Sequence, residues 1–150
     1  MYKKILVLLD GTKNDKGLLD HVRGLAKGIG ASLILIQLYR VVKDEDPFMR
    51  SIQREVGARS YEVQKRAETY LPEVEESLRR EGIEVSSEFL LAEDPEADEI
   101  VRYAKNKGCD LIALENQART GLGRWFFSNI EDKVKRRSSL PVLMVPRSER

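Results

Sequence analysis

The chain has 150 residues, and its 26 basic and 25 acidic side chains leave a formal net charge of +1. So small a charge creates no overall field that favours nucleic acid or an anionic membrane surface. One cysteine, Cys109, excludes an intramolecular disulfide, and no apolar run is long enough for a membrane span or a signal-peptide core. These features predict a cytoplasmic protein with a single domain over residues 1–150.

The first third of the chain reads as strand, helix, strand. Residues 5–9 and 33–39 are nearly continuous apolar runs, which are typical of parallel strands buried on both faces. Between them, apolar side chains recur at helical spacing from Leu18 to Ile29, and Gly30 is a typical helix end. Such a unit predicts two parallel strands joined by a right-handed crossover.

A long helical pattern follows from Val56 to Leu78 and contains Pro72. Because proline lacks an amide donor, we expect a kink or a break near Leu71. Strands are predicted at 83–91, 109–114 and 142–145, with helices beginning near Pro95 and Ser128. The alternation predicts an α/β fold: a doubly wound, Rossmann-like open sheet of about five parallel strands with helices on both faces.

Two stretches meet at the carboxyl edge of such a sheet, where ligands bind in this architecture. Asp10 and Gly11 follow the first strand, and a loop at 115–124 follows the fourth. Asp10 is either an acceptor for a ligand base or ribose, or a turn aspartate that bonds its own backbone.

The spacing of Ser128 and Glu131 is that of a capping box, so a helix start with free amides is expected there. Arg119, Arg124 and Lys133 are basic residues around it. The segment is either an anion site or an ordinary capped helix with solvated basic neighbours.

Four segments form a combination that is more specific than any one of them: residues 4–12, Arg119-Thr120-Gly121-Leu122, Glu131-Asp132-Lys133-Val134 and residues 140–145. Together they resemble the universal stress protein (UspA-like) family, over essentially the full length. The resemblance implies a doubly wound sheet and usually a dimer.

In family members that bind ATP, a G-x2-G-x9-G-[S/T] motif follows strand four, and an aspartate after strand one holds the base. This chain keeps the aspartate but replaces all three glycines and the final Ser/Thr, by Glu115, Ala118, Ser128 and Asn129. The resemblance implies a vestigial or weak nucleotide pocket formed by Asp10, Gly11, Leu38, Glu115, Ala118, Ser128, Asn129 and Ile130.

Glu115 is the most damaging of these changes, because it places an anion beside a tetra-anionic ligand. Two unit charges at about 4 Å repel by about 4 kcal/mol at an effective dielectric near 20. We therefore expect a stress-response protein that has lost ordinary ATP binding and works through contacts with other proteins, as yet unidentified, without a resident cofactor. The alternative is a switch or weak ATPase that binds ATP or AMP with Mg²⁺.

Other functions find less support in the sequence. A phospho-receiver domain needs an acceptor aspartate at the end of strand three, and residues 89–92 contain none. No nucleophile set or metal-ligand spacing is present, so neither a catalytic residue nor a metal site is predicted.

The closing strand predicts self-association. It is apolar and close to the end of the sequence given, and an edge strand exposes unpaired backbone groups. Pairing with a second copy would make a two-fold homodimer, unless the chain's own loops cover the edge. The interface residues would be Val142, Leu143, Met144 and Val145.

Overall fold

A computed structural model of the chain describes residues 2–40, 47–92, 96–116 and 130–146. In this part of the chain five strands form one sheet in the order β3-β2-β1-β4-β5, and every pairing is parallel. The predicted α/β class is therefore confirmed. The elements are β1 (Lys4–Leu9), α1 (Asp15–Ile29), β2 (Ser32–Arg40), α2 (Pro47–Arg79), β3 (Val85–Ala92), α3 (Glu96–Asn106), β4 (Leu111–Asn116), α4 (Ile130–Arg137) and β5 (Val142–Pro146).

The core has two layers, one on each face of the sheet. On β1, Ile5 and Val7 belong to the layer shared with α1 and α2, whereas Leu6 belongs to the layer shared with α3 and α4. Successive side chains of a strand point to opposite faces, so helices on both faces bury most positions of the central strands. This explains why these strands are largely apolar.

The predicted interruption of α2 does not divide the helix. It is continuous from Pro47 to Arg79 and passes through Pro72, so of the kink or break expected near Leu71 the break does not occur. Leu71 and Leu78 on either side of the proline are both buried in the same core layer, whereas Pro72 is exposed. Packing of both halves against one sheet face supports a continuous helix despite the missing hydrogen bond.

The end of β4 also differs from the sequence prediction. We expected the strand to end at residue 114 and Glu115 to open a loop, but β4 includes Glu115 and Asn116. Those two residues lie opposite Val145 and Pro146 of β5. Pairing with a neighbour that is distant in sequence extends the strand, and local pattern does not reveal such pairing.

Within the described ranges, no helix is long and apolar enough to cross a lipid bilayer.

Replacing Pro72 by Ala should stabilise the protein by about 1–2 kcal/mol. A proline inside a helix lowers the free energy of unfolding by ~3 kcal/mol. Part of this loss is offset because proline also reduces the conformational entropy of the unfolded chain. Chemical denaturation followed by circular dichroism measures the change. Glu73→Ala, at the adjacent exposed helix position, is the matched control and should stay within about 0.5 kcal/mol of the wild type. A Pro72→Ala variant no more stable than this control would contradict the account of α2.

Candidate functional site

A cavity of about 310 Å³ lies at the carboxyl edge of the sheet, where the ends of β1, β2 and β4 meet α2 and α4. This is the position at which open parallel sheets bind ligands. Its walls are formed by Leu8, Leu9, Asp10, Asp15, Gln37, Leu38, Tyr39, Val63, Leu114, Glu115 and Ile130.

The structure brings four of the predicted site residues together in this cavity: Asp10, Leu38, Glu115 and Ile130. Gly11 follows Asp10 in the turn after β1. The remaining three, Ala118, Ser128 and Asn129, lie outside the described residues, as does the rest of the predicted loop. The binding role of the whole set stays a prediction.

The Asp10 carboxylate combines features of both roles considered for it. Its Oδ1 accepts hydrogen bonds from the Thr12 amide at 2.8 Å and from Thr12 Oγ1 at 2.6 Å, which is a turn aspartate bonding its own segment. The same exposed side chain also borders the cavity. Bonding within the turn therefore orients a carboxylate that still faces the cavity.

Gly11 packs closely against a side chain of β2. Its φ of +84° lies in the left-handed region, and a Cβ atom built there would be 2.6 Å from Gln37 Nε2. The backbone conformation therefore favours glycine, and a Cβ atom there would have to displace the amide end of the Gln37 side chain.

Asp15 is a buried carboxylate in the cavity wall, only 5% exposed. Its Oδ1 accepts the Asp10 amide at 2.9 Å, and its Oδ2 accepts the Gly11 amide at 2.9 Å and the Tyr70 hydroxyl at 2.8 Å. Burial is the main reason that the pKa of Asp15 rises to about 6, with the charge of Asp10 adding to it, while the hydrogen bonds oppose the rise. Burial, and then the bond to Asp15, raise the pKa of the Tyr70 phenol.

The sequence patterns singled out neither Asp15 nor Tyr70 as a site residue. The cap at Asn14 makes no side-chain hydrogen bond, and Asp15 reaches back to the end of β1 instead. The Asp15–Tyr70 bond joins residues 55 positions apart. No local signal in the sequence could have paired them.

Gln37 is the second buried polar residue of the cavity wall, at 5% exposed. Its Oε1 is buried and has no hydrogen-bond partner among the described residues. The sequence does show Gln37 as a polar residue within the apolar run 33–39, but that run was interpreted only as a buried strand. A buried polar atom without a partner is costly and calls for a specific explanation.

The cavity wall is acidic over its described part. It contains Asp10, Asp15 and the buried Glu115, and no Lys, Arg or His. The described residues contain no group of three or more His, Cys, Asp or Glu side chains placed to hold a metal ion. The charged side chains of the described wall are therefore all carboxyl groups, which accept hydrogen bonds when ionised.

The family model described as the universal stress protein family matches residues 1–146 of the sequence. The chain belongs to this family. Among its relatives, the universal stress protein YxiE of Bacillus subtilis is 28% identical, over 97% of this chain and 99% of the relative. The universal stress protein MJ0531 of Methanocaldococcus jannaschii is 26% identical, over 100% of this chain and 85% of the relative.

Solved structures of the family share the fold. Hypothetical protein MJ0577 of Methanocaldococcus jannaschii superposes with a TM-score of 0.75 at 22% identity, over 100% of this chain and 99% of that one. A universal stress protein from Archaeoglobus fulgidus, solved in complex with dAMP, has a TM-score of 0.64 at 16% identity, over 96% of this chain and 98% of that one. A different universal stress protein structure, in complex with cAMP, has a TM-score of 0.61 at 22% identity, over 98% of each chain.

Replacing Gly11 by Ala should destabilise this universal stress protein by about 2–4 kcal/mol, through left-handed backbone strain together with overlap on Gln37. Gly24→Ala is the matched control, because a Cβ atom there meets nothing within 4 Å. In the exposed interior of α1 it should instead stabilise the protein by about 0.5–1 kcal/mol. Urea denaturation measures both changes, and equal stabilities of the two variants would contradict the assigned geometry of Gly11.

Proposed function

We propose that this universal stress protein acts in the stress response through contacts with other proteins, and that its pocket does not take ATP in the ordinary way. We also propose that residues 1–150 form a single domain, that the protein is cytoplasmic and that it has no catalytic activity. The observation that supports it is the acidic character of the cavity wall, above all the position of Glu115 at the buried end of β4.

The argument against ATP is electrostatic. Glu115 is 8% exposed and stands where the family resemblance places the first glycine of the phosphate-binding motif. Water screens a charge at such a depth less than it screens a surface charge. Repulsion of even about 1–2 kcal/mol between this carboxylate and a polyphosphate weakens binding by about five- to thirtyfold.

A second candidate function is adenine-nucleotide binding, as a switch or a weak ATPase. It is supported by the cavity at the carboxyl edge, by the kept Asp10, and by structural neighbours solved with cAMP and dAMP. Both of those ligands carry less negative charge than ATP, so an acidic pocket repels them less. Under this alternative Glu115 would bond a ribose hydroxyl, as acidic residues do in dinucleotide folds.

Titration calorimetry of nucleotide-stripped protein separates the two functions. We expect Mg-ATP to bind no more tightly than roughly millimolar, and Glu115→Gly to raise its affinity by about tenfold or more, because the buried anion is removed. Glu115→Gln keeps the size and strand propensity of the side chain and should act in the same direction. Glu84→Gln, an exposed carboxylate at the other end of the sheet, is the control and should change nothing.

Two results would support the nucleotide switch instead. One is micromolar binding of Mg-ATP to the wild type. The other is a loss of affinity in both Glu115 variants, since a carboxylate that bonds ribose contributes to binding. A thermal melt of each variant separates either result from misfolding.

We also propose that the protein is a homodimer paired through β5. This strand pairs only with β4 in the described sheet, which makes it an edge. Three of its apolar residues are half-buried: Val142, Leu143 and Met144. Val142 and Leu143 pack against the two core layers. A second copy of β5 would cover both the free backbone groups and the remaining apolar surface.

Met144→Lys should convert the dimer to a monomer, because it places a charge on the edge at a side chain that belongs to neither core layer. Light scattering after size-exclusion chromatography reads the mass directly. Leu91→Lys puts the same charge on β3, the opposite edge, at a residue that is 51% exposed. This control should leave the mass unchanged. A wild type that is monomeric at high concentration would overturn the proposed dimer.

A further inference from the structure

At the cavity on the carboxyl edge, two oxygen atoms that can accept hydrogen bonds have no donor among the described residues. Gln37 Oε1 is buried without a partner, although its side chain lines the cavity. Asp10 uses Oδ1 for both bonds from Thr12, which leaves Oδ2 for another donor. The end of a Gln side chain can rotate to present either its oxygen or its nitrogen. Both residues are thus able to accept hydrogen bonds from one ligand.

The charge of the wall selects the kind of donor. Asp15 accepts the backbone amide of Asp10, and the negative charge of Asp10 adds to the rise in the pKa of Asp15, a repulsion that an incoming cation relieves. Neither residue meets a basic side chain among the described residues of the wall. A phosphate or carboxylate ligand would add to the repulsion, whereas a positive group would reduce it.

The rest of the described wall is mainly apolar. Half-buried Leu8 and Leu38 come from two neighbouring strands, and Val63 comes from α2. A bare metal ion leaves such a surface uncovered, and the described residues form no metal-binding group. The cavity of about 310 Å³ suits a small organic molecule with an apolar body.

We propose that this cavity binds an organic cation: an ammonium or guanidinium group carried on an apolar body. Asp10 and Gln37 contact the charged group, Asp15 contributes negative potential from beneath, and the leucines cover the body. The proposal deepens the proposed function and rests on it, since a pocket adapted to polyphosphate would not favour a cation.

Three probes with one indole body and different charge test the proposal. Calorimetry of the whole chain compares tryptamine, a cation, with tryptophol, which is neutral, and indole-3-propionate, an anion. We expect tryptamine to bind at least tenfold more tightly than tryptophol, and the propionate not to bind measurably. Equal affinities, tighter binding of the anion, or no binding of tryptamine at millimolar concentration overturns the proposal.

Variants locate the site. Asp10→Asn keeps the acceptor for Thr12 and removes the charge, so it should weaken the binding of tryptamine about tenfold and the binding of tryptophol much less. Gln37→Met keeps the length of the side chain and removes its amide, and should weaken tryptamine severalfold. Asp20→Asn is the control, because Asp20 pairs with Lys16 and Arg23 on the surface of α1. The proposal is overturned if Asp10→Asn and Gln37→Met both keep the melting temperature of the wild type and both bind tryptamine with unchanged affinity. The cation would then bind elsewhere.

Proton exchange gives a readout that a distant site would not produce. The titratable groups that face Asp15 are the Asp10 carboxylate and the neutral Tyr70 hydroxyl, with Glu115 in the same cavity wall. A cation stabilises ionised Asp15 and lowers its pKa, so binding near pH 6 should release protons, and binding at pH 8 should release almost none. Calorimetry in buffers of different ionisation enthalpy measures the number of protons released on binding. Proton uptake on tryptamine binding would contradict the assigned location.

The same protein titrated with Mg-ATP keeps the two proposals apart. Micromolar ATP binding defeats the proposed function, whatever tryptamine does. If neither ATP nor tryptamine binds, only the organic-cation site fails.

Discussion

The carboxylate of Asp15 holds the functional edge of this protein together. It accepts two backbone amides from the turn after β1 and the hydroxyl of Tyr70 from α2. One side chain at the start of α1 thereby fixes the turn that carries Asp10 and joins it to α2. Three hydrogen bonds offset the cost of burying the charge only in part, which is why the pKa of this group remains near 6.

The same carboxylate shapes what the cavity can receive. A buried negative charge that supports the turn also creates negative potential where a ligand would lie, and Glu115 at the end of β4 adds to it. Support of the fold and the rejection of polyphosphate that we propose would thus share one physical origin. Under that proposal, the chain would keep the shape of a nucleotide pocket while acidic side chains in its described lining favour hydrogen-bond donors.

The strands and most helix ends could be predicted because each depends on neighbours in sequence. Runs such as residues 33–39 show burial on both faces, and Gly30 and Gly108 have the positive φ that ends helices. The prediction failed where a distant partner decides the outcome. Pro72 does not break α2, because packing keeps the helix on the sheet, and Glu115 lies in a strand because β5 pairs with it.

The sequence by itself determined the α/β class, the parallel strands and the family, since periodicity and scattered motifs are properties of the linear chain. It also placed Asp10 and Glu115 near one edge, because parallel strands end on the same side. Only the tertiary structure decided that Asp15, Tyr70 and Gln37 join them. Asp15 and Tyr70 are 55 residues apart, and Gln37 resembles a core position until Gly11 of another strand's turn is seen against it. Burial and hydrogen bonding between distant segments depend on packing, which local sequence does not encode.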